Sequence, residues 1–122
     1  MLSAGAIGFL IYGSLSTYVP DETIIFRAYQ DFQKLSEAVN AYHSATGSFP
    51  TSEQGFKIMI VRPNPSPPNW KQTLKVVPLD PWGNEYLYRL TVREGKETPE
   101  IVSCGADGRL GSQDDLSSLD PR

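Results

Sequence analysis

The pattern of hydrophobic and polar positions changes three times along the chain. Residues 1–19 are largely apolar, whereas residues 21–45 repeat apolar side chains at the spacing of a helix with one buried face. Residues 85–92 alternate as a strand does, and residues 100–104 form a second short apolar run. The pattern therefore predicts a long N-terminal helix followed by a small antiparallel sheet.

The first region, residues 1–19, contains no charged side chain. It approaches the roughly 20 apolar residues that cross a bilayer, although three glycines and several hydroxyl side chains dilute it. We therefore expect a membrane anchor. A cleaved secretory signal and a buried core helix are the alternatives, and the absence of Lys or Arg before the apolar run argues against the signal.

The second region is predicted to be an amphipathic helix over residues 21–45, because Pro20 interrupts a regular helix ladder. Gly47 suits a left-handed cap at its C-terminal end. One stripe of the helix carries the apolar side chains, and charged side chains are predicted to lie off it. The stripe consists of Ile25, Ala28, Phe32, Leu35, Val39 and Tyr42, and the charged set of Arg27, Asp31, Lys34 and Glu37.

The middle of the chain predicts a second helix over residues 51–61, in which Thr51 and Gln54 form the capping pair. The proline-rich segment 63–68 cannot form ladder hydrogen bonds and is expected to be an extended loop that Trp70 holds against the domain. Residues 80–84, with the sequence DPWGN, predict a turn.

The sheet is predicted from strands at residues 85–92 and 100–104, joined by a charged hairpin loop at residues 93–99. The expected fold class is α+β, with the long helix packed on a small antiparallel sheet and a loop-rich C-terminal end. A length of 122 residues suits one domain with a modest core.

Composition and charge exclude several classes of function. The net charge is −3 and no basic cluster occurs, so nucleic acid is not an expected partner. The lone cysteine, Cys104, cannot form an internal disulfide and is expected to be a small buried hydrophobe. His43 is the only histidine, which leaves little material for a histidine-based triad or zinc site.

The segment Ser103–Asp115, here named the aspartate loop, carries the most specific chemistry. It contains the carboxylates of Asp107, Asp114 and Asp115 together with three glycines that permit positive φ angles. Carboxylates that converge need a cation between them, and an oxygen-only set favours Ca²⁺ over zinc. An ordinary solvated acidic turn is the alternative. The spacing does not fit an EF-hand, whose twelfth position would fall on Ser118.

An enzymatic use of the same carboxylates is a weaker hypothesis. A hydrolase would need Asp107 and either Asp114 or Asp115 as separate acid and base. A tight cation cage is poorly suited to that division of roles. We therefore expect no catalytic residues.

Three blocks in the same chain carry a family resemblance. They are GSFPTSEQG at residues 47–55, VPLDPWGNEY at residues 77–86, and SCGADG at residues 103–108 followed by the paired aspartates. In this order they resemble the major pseudopilins of bacterial type II secretion systems. The resemblance runs from about Gln33 to Leu116.

This resemblance implies a structural subunit that polymerises with copies of itself into a periplasmic filament, the pseudopilus, which promotes export of folded proteins. Residues 1–19 would anchor the subunit in the inner membrane and lie in the filament core, and residues 20–122 would form the periplasmic domain. Minor pseudopilins and the inner-membrane secretion platform are the implied partners.

The resemblance also implies a calcium ion in the aspartate loop. The side chains of Asp107, Asp114 and Asp115 match the family's carboxylate ligands, and Cys104 and Ser112 match positions that supply backbone carbonyls. Calcium would then stabilise the C-terminal end of the domain.

The N-terminal region departs from the family's processing motif, G-F-T-L-x-E. The nearest approach begins at Gly8, but Gly13 stands where the family has its glutamate. Alternatively, Pro20 corresponds to the family's proline late in the apolar helix. Two other functions remain open at this point: a minor type IV pilin or competence pseudopilin, and a membrane-anchored, calcium-dependent binding module.

Overall fold

The computed structural model describes residues 21–121, so the predictions made for residues 1–19 lie outside that range. The elements follow in the order α1 (Glu22–Thr46), α2 (Lys57–Ile60), β1 (Leu87–Arg93), β2 (Lys96–Ser103) and β3 (Leu116–Ser117). Helix α1 packs on an antiparallel sheet of strand order β1-β2-β3, which confirms the predicted α+β class. Over residues 21–121, no helix combines the length and apolar character that crossing a membrane requires.

Helix α1 has well-defined caps at both ends. The Asp21 carboxylate accepts the N–H of Thr23 at 2.7 Å, which satisfies a donor with no partner inside the helix. At the other end Gly47 adopts a φ of 86° and donates its N–H to the carbonyl of His43, confirming the predicted left-handed cap. The helix is shifted by one residue from the predicted range 21–45.

The predicted apolar stripe of α1 faces the core. Its members are buried except for Ile25, which is half-buried. Asp31 lies off the stripe, yet its carboxylate is also buried. The phenol of Tyr86 donates a hydrogen bond to this carboxylate at 2.7 Å, so the buried group has a hydrogen-bond partner.

The core lies between α1, α2 and the sheet. Leu35, Met59 and Ile101 come from these three sources and are fully buried. Phe32 packs edge to face on Tyr86, with ring centroids 5.6 Å apart. Such aromatic pairs add to the stabilisation that burial of their area provides.

The second helix is shorter than predicted. Thr51 and Gln54 do exchange the expected hydrogen bonds, at 2.9 and 3.1 Å, but these close a separate turn. Gly55 follows with a φ of 58°, which a right-handed helix cannot accommodate. Helix α2 therefore begins only at Lys57 and ends at Ile60.

The segment after α2 is held by side-chain contacts, as predicted. The indole N–H of Trp70 donates to the carbonyl of Ile58 at 2.7 Å, and the Arg62 guanidinium lies 5.1 Å from the centre of the indole ring. The peptide bond between Asn64 and Pro65 is cis. Trp70 thus holds the C-terminal end of the proline-rich loop against α2.

The hairpin between β1 and β2 is much tighter than the predicted loop at residues 93–99. Arg93 pairs with Lys96, so only Glu94 and Gly95 form the turn. Both have positive φ angles, 53° and 77°, which suit the two-residue turns that match the twist of paired strands. Strand β2 therefore starts at Lys96, well before the predicted start at residue 100.

Candidate metal centre

The two ends of the aspartate loop are held together by the sheet. Ser103 ends β2 and pairs with Leu116 of β3, and Val102 pairs with Ser117. The Ser118 N–H also donates to the carbonyl of Ile101 at 2.8 Å. Because neighbouring strands fix both ends, the intervening residues must fold back on themselves. The short strand β3 was not predicted.

The carboxylates of the aspartate loop converge on one hydroxyl group. Ser112 Oγ lies 3.1 Å from Oδ1 of Asp107, 2.6 Å from Oδ1 of Asp114 and 3.3 Å from Oδ1 of Asp115. It also lies 3.0 Å from the carbonyl oxygen of Arg109. The loop thus brings together the three aspartates that the sequence singled out.

Backbone amides orient each of these carboxylates. The N–H of Arg109 donates to Asp107 at 2.9 Å, and the N–H of Gly111 donates to Asp115 at 2.7 Å. The N–H of Asp107 donates to Asp114 at 3.1 Å. Backbone N–H groups of the loop therefore hold all three carboxylates close to the Ser112 hydroxyl.

The centre contains more acceptor oxygens than protons. A serine hydroxyl has one proton to donate, yet four oxygen atoms lie within hydrogen-bonding distance of Ser112 Oγ. The ion pairs in the described part of the chain join Arg27 to Asp31 and join Arg89 and Arg93 to Glu100, so none of them includes the loop carboxylates. The site therefore concentrates negative charge that a cation would balance.

Asp114 carries a stable negative charge in this arrangement. The hydrogen bond with the Ser112 hydroxyl is the main cause that lowers the pKa of Asp114 below the ordinary value of 3.8; burial opposes this effect, and the N–H of Asp107 adds to it. The carboxylate is therefore ionised at neutral pH.

Gly105 permits the close approach of Asp114 to the start of the loop. Gly105 has a φ of 73°, and a Cβ built on it would overlap the carbonyl oxygen of Asp114 and lie 2.7 Å from Asp114 Cγ. Only a residue without a side chain fits this contact without a shift. The same contact fixes where Asp114 sits relative to β2.

Cys104 is buried at the point where the loop leaves β2, as expected for a small hydrophobe. Burial, followed by the negative charge of Asp115 and other nearby aspartates, raises the pKa of the thiol, so the neutral form is favoured. The carbonyl of Ser112 accepts the Asp115 N–H at 3.4 Å, while its hydroxyl occupies the centre of the carboxylates.

The donor set consists of oxygen atoms from carboxylates, a hydroxyl and backbone carbonyls, which suits a hard cation such as Ca²⁺. Within residues 21–121, no group of three or more His, Cys, Asp or Glu side chains is arranged to hold a metal ion, and the Ser112 hydroxyl lies among the carboxylates of the aspartate loop. The residues fit calcium in chemistry and charge, and binding would require the hydroxyl to move aside.

Two residues outside the aspartate loop also support it. Asp80 is buried and accepts the Ser103 hydroxyl at 2.6 Å, and Asn84 donates its side-chain amide to the carbonyl of Gly105 at 3.3 Å. The DPWGN turn was predicted as a turn, but nothing in its local pattern indicated that it would contact the aspartate loop.

Comparison with known proteins places the chain in a family. The family model for protein G of the type II secretion system matches residues 18–120. The type II secretion system core protein G of Pseudomonas aeruginosa is 34% identical over 105 residues, which cover 82% of this chain and 72% of that protein. The core protein G of Vibrio cholerae is 33% identical over 90 residues, covering 71% of this chain and 60% of that protein.

A solved structure agrees with this assignment. The major pseudopilin from the type 2 secretion system of enterohaemorrhagic Escherichia coli superposes with a TM-score of 0.70 at 27% identity, and the match covers 84% of this chain and 96% of that chain. The family resemblance in the sequence is thereby confirmed, as is the pilin-like form of the α+β fold. The chain belongs to the family of type II secretion system protein G.

Proposed function

We propose that this chain is a structural subunit of a pseudopilus that promotes export of folded proteins through a type II secretion system. The observation that carries this proposal is the near-complete coverage of the solved major pseudopilin by the described fold. Family membership favours this function over a minor type IV pilin and over an isolated calcium-dependent binding module.

The proposed assembly uses α1 and the apolar residues that precede it. Residues 1–19 would anchor the subunit in the inner membrane and then lie in the centre of the filament, with the globular domain in the periplasm. The partners would be further copies of the chain, minor pseudopilins and the inner-membrane secretion platform. Phe26 supports a role for the start of α1 in packing between subunits, since its side chain is 58% exposed.

We further propose that the aspartate loop binds calcium. The side chains of Asp107, Asp114 and Asp115 would supply carboxylate oxygens, and Cys104 and Ser112 would supply backbone carbonyls. A bound cation would neutralise the concentrated charge of the loop and favour its folded arrangement over an open one. The excess of acceptor oxygens around Ser112 supports this role.

A catalytic role has no support in this arrangement. The three carboxylates share one centre, so they do not form a separated acid and base. The ring of His43 stacks on Phe49 with centroids 4.1 Å apart, which gives it a packing partner. We therefore propose a structural, non-enzymatic protein.

Crosslinking in cells tests the assembly directly. The full chain, expressed with a complete secretion system, is expected to give a ladder of oligomers after formaldehyde treatment. Phe26→Ser is expected to weaken the ladder without lowering the stability of the isolated subunit, because this side chain is already exposed. Val92→Ser serves as the control, since Val92 is 71% exposed on the sheet. A monomer alone in the wild type would contradict the proposal.

A further inference from the structure

The DPWGN turn, residues 80–84, is organised around one buried carboxylate. Oδ1 of Asp80 accepts the N–H of Trp82 at 3.0 Å and the N–H of Asn84 at 2.8 Å. The backbones of Asp80 and Asn84 also meet, since the N–H of Asp80 donates to the carbonyl of Asn84 at 2.8 Å. The position of the Asn84 side chain is therefore set by a closed turn with a buried anchor.

The same turn holds Gly105 of the aspartate loop from both sides of the residue. Oδ2 of Asp80 accepts the Ser103 hydroxyl at 2.6 Å, and Ser103 Oγ in turn accepts the N–H of Gly105 at 3.2 Å. The side-chain amide of Asn84 donates to the carbonyl of Gly105 at 3.3 Å. Both polar backbone groups of Gly105 are thus connected to one turn that lies about twenty residues earlier.

Asn84 also packs against a second glycine of the loop. A Cβ built on Gly108 would lie 3.4 Å from both polar atoms of the Asn84 amide. The N–H of Gly108 donates to the carbonyl of Gly105 at 3.2 Å, so one carbonyl receives both this amide and that of Asn84. The Asn84 side chain therefore contacts the first turn of the aspartate loop at both Gly105 and Gly108.

Gly105 in turn contacts Asp114, one of the proposed calcium ligands. The carboxyl carbon and backbone carbonyl of Asp114 lie against Gly105, so closely that a side chain there would overlap them. Moving Gly105 would consequently move the surface against which Asp114 packs. Outer residues that orient metal ligands in this way commonly change metal affinity by ten-fold or more when they are replaced.

We propose that Asn84 is a positioning residue for the cation site, acting through Gly105 on Asp114. This inference rests on the proposed calcium binding. Asn84 touches no proposed ligand atom through a hydrogen bond of its own, and its effect comes from holding the loop in the arrangement that gathers the carboxylates. Asp80 supports the same arrangement but also stabilises the fold through its burial, so Asn84 is the better residue to test.

The test compares calcium affinity with stability in chelator for the full chain in nonionic detergent. Asn84→Ala is expected to weaken calcium binding about ten-fold by titration calorimetry, while its thermal midpoint in chelator stays close to that of the wild type. Asn40→Ala is the matched control, because Asn40 is an exposed amide on α1. A merely structural role would lower the midpoint equally with and without calcium and leave the affinity unchanged.

Asn84→Asp separates positioning from electrostatics. This variant keeps the size of the side chain but cannot donate to the Gly105 carbonyl, and its added negative charge would by itself strengthen cation binding. Positioning predicts weaker binding than in the wild type. Equal or tighter binding in this variant, together with wild-type affinity in Asn84→Ala, would overturn the inference.

Hydrogen exchange distinguishes failure of this inference from failure of the calcium proposal. Amides between Gly105 and Gly111 are expected to exchange faster in Asn84→Ala than in the wild type, even in chelator. If the wild type bound no calcium, the calcium proposal and the role of Asn84 toward a cation would both fail, and faster exchange would show that Asn84 still positions the loop. Unchanged exchange and unchanged affinity would overturn the role of Asn84 alone.

Discussion

The phenol of Tyr86 donates a 2.7 Å hydrogen bond to the carboxylate of Asp31, joining the entry to β1 with the middle of α1. Both residues are buried, and the Arg27 guanidinium lies 3.7 Å from the same carboxylate. Burial, followed by the contact with Asp31, raises the pKa of Tyr86 far above its ordinary value. The phenol of Tyr86 therefore stays protonated and donates its hydrogen bond to the buried carboxylate of Asp31.

Removing that donor is expected to destabilise the domain. Tyr86→Phe leaves the aromatic packing in place but takes away the hydrogen bond to Asp31, and we expect a loss of about 1–3 kcal/mol in the free energy of unfolding. Urea unfolding of the full chain measures this loss. Tyr29→Phe is the matched control on α1, because the phenol of Tyr29 donates to Asp120 at 3.3 Å in an exposed contact.

The control substitution is expected to change the free energy of unfolding by less than about 0.5 kcal/mol, since water can replace an exposed hydrogen-bond partner. The difference between the two variants therefore isolates the effect of burial on the loss of a phenol donor. Equal effects of Tyr86→Phe and Tyr29→Phe would show that the buried contact with Asp31 contributes little.

Gly105→Ala and Gly111→Ala form a matched pair in the aspartate loop. Both residues have positive φ angles, 73° and 91°, so each alanine is expected to cost about 1–2 kcal/mol in backbone strain. Only at Gly105 would the new Cβ meet Asp114, whereas the space around Gly111 is open. Gly105→Ala should therefore lower the free energy of unfolding by at least about 1 kcal/mol more than Gly111→Ala. Chemical unfolding of both variants checks the difference, and equal losses would contradict the close contact.

Glu100 makes the sheet sensitive to acid. Burial alone would raise the pKa of Glu100, but hydrogen bonds from Arg89 and Ser117 and the charges of Arg89 and Arg93 outweigh it and lower the pKa below 4.5. Since the pKa is depressed in the folded state, the stabilisation is fully present above about pH 4.5 and is lost as the pH falls through the folded-state value.

Glu100→Gln is therefore expected to reduce the loss of stability between about pH 6 and about pH 3.5, although the variant is less stable than the wild type at pH 6. Urea unfolding at the two pH values measures the change. Glu97→Gln, an exposed position on the same strand, serves as the control and should retain the acid sensitivity of the wild type. The same acid-induced loss in Glu100→Gln and the wild type would show that Glu100 is not its source.

The main elements of the fold could be predicted from the spacing of apolar residues, because each of these elements buries one face. Ala28, Leu35 and Tyr42 mark the buried side of α1 at seven-residue spacing, and Tyr86 and Tyr88 mark the buried side of the predicted strand at residues 85–92. The errors lie where single backbone angles decide the outcome. The positive φ of Gly55 shortens α2, and those of Glu94 and Gly95 allow a tight turn where the charged composition suggested a loop.

The candidate site was predictable in part for a similar reason. Asp107, Asp114 and Asp115 lie within one short segment, so a fold-back between paired strand ends suffices to bring them together. The central position of the Ser112 hydroxyl depends on the detailed path of the loop. The contact of Asn84 with Gly105 depends on the approach of two segments 21 residues apart, which no local pattern indicates.

The account depends most on the claim that the aspartate loop binds calcium and is stabilised by it. Thermal unfolding of the full chain in calcium and in chelator tests this most directly, with Asp114→Asn compared against Glu37→Gln, an exposed position on α1 with the same change in charge. We expect calcium to raise the midpoint of the wild type and of Glu37→Gln, but not that of Asp114→Asn. A wild-type midpoint that is the same in calcium and in chelator would contradict the claim.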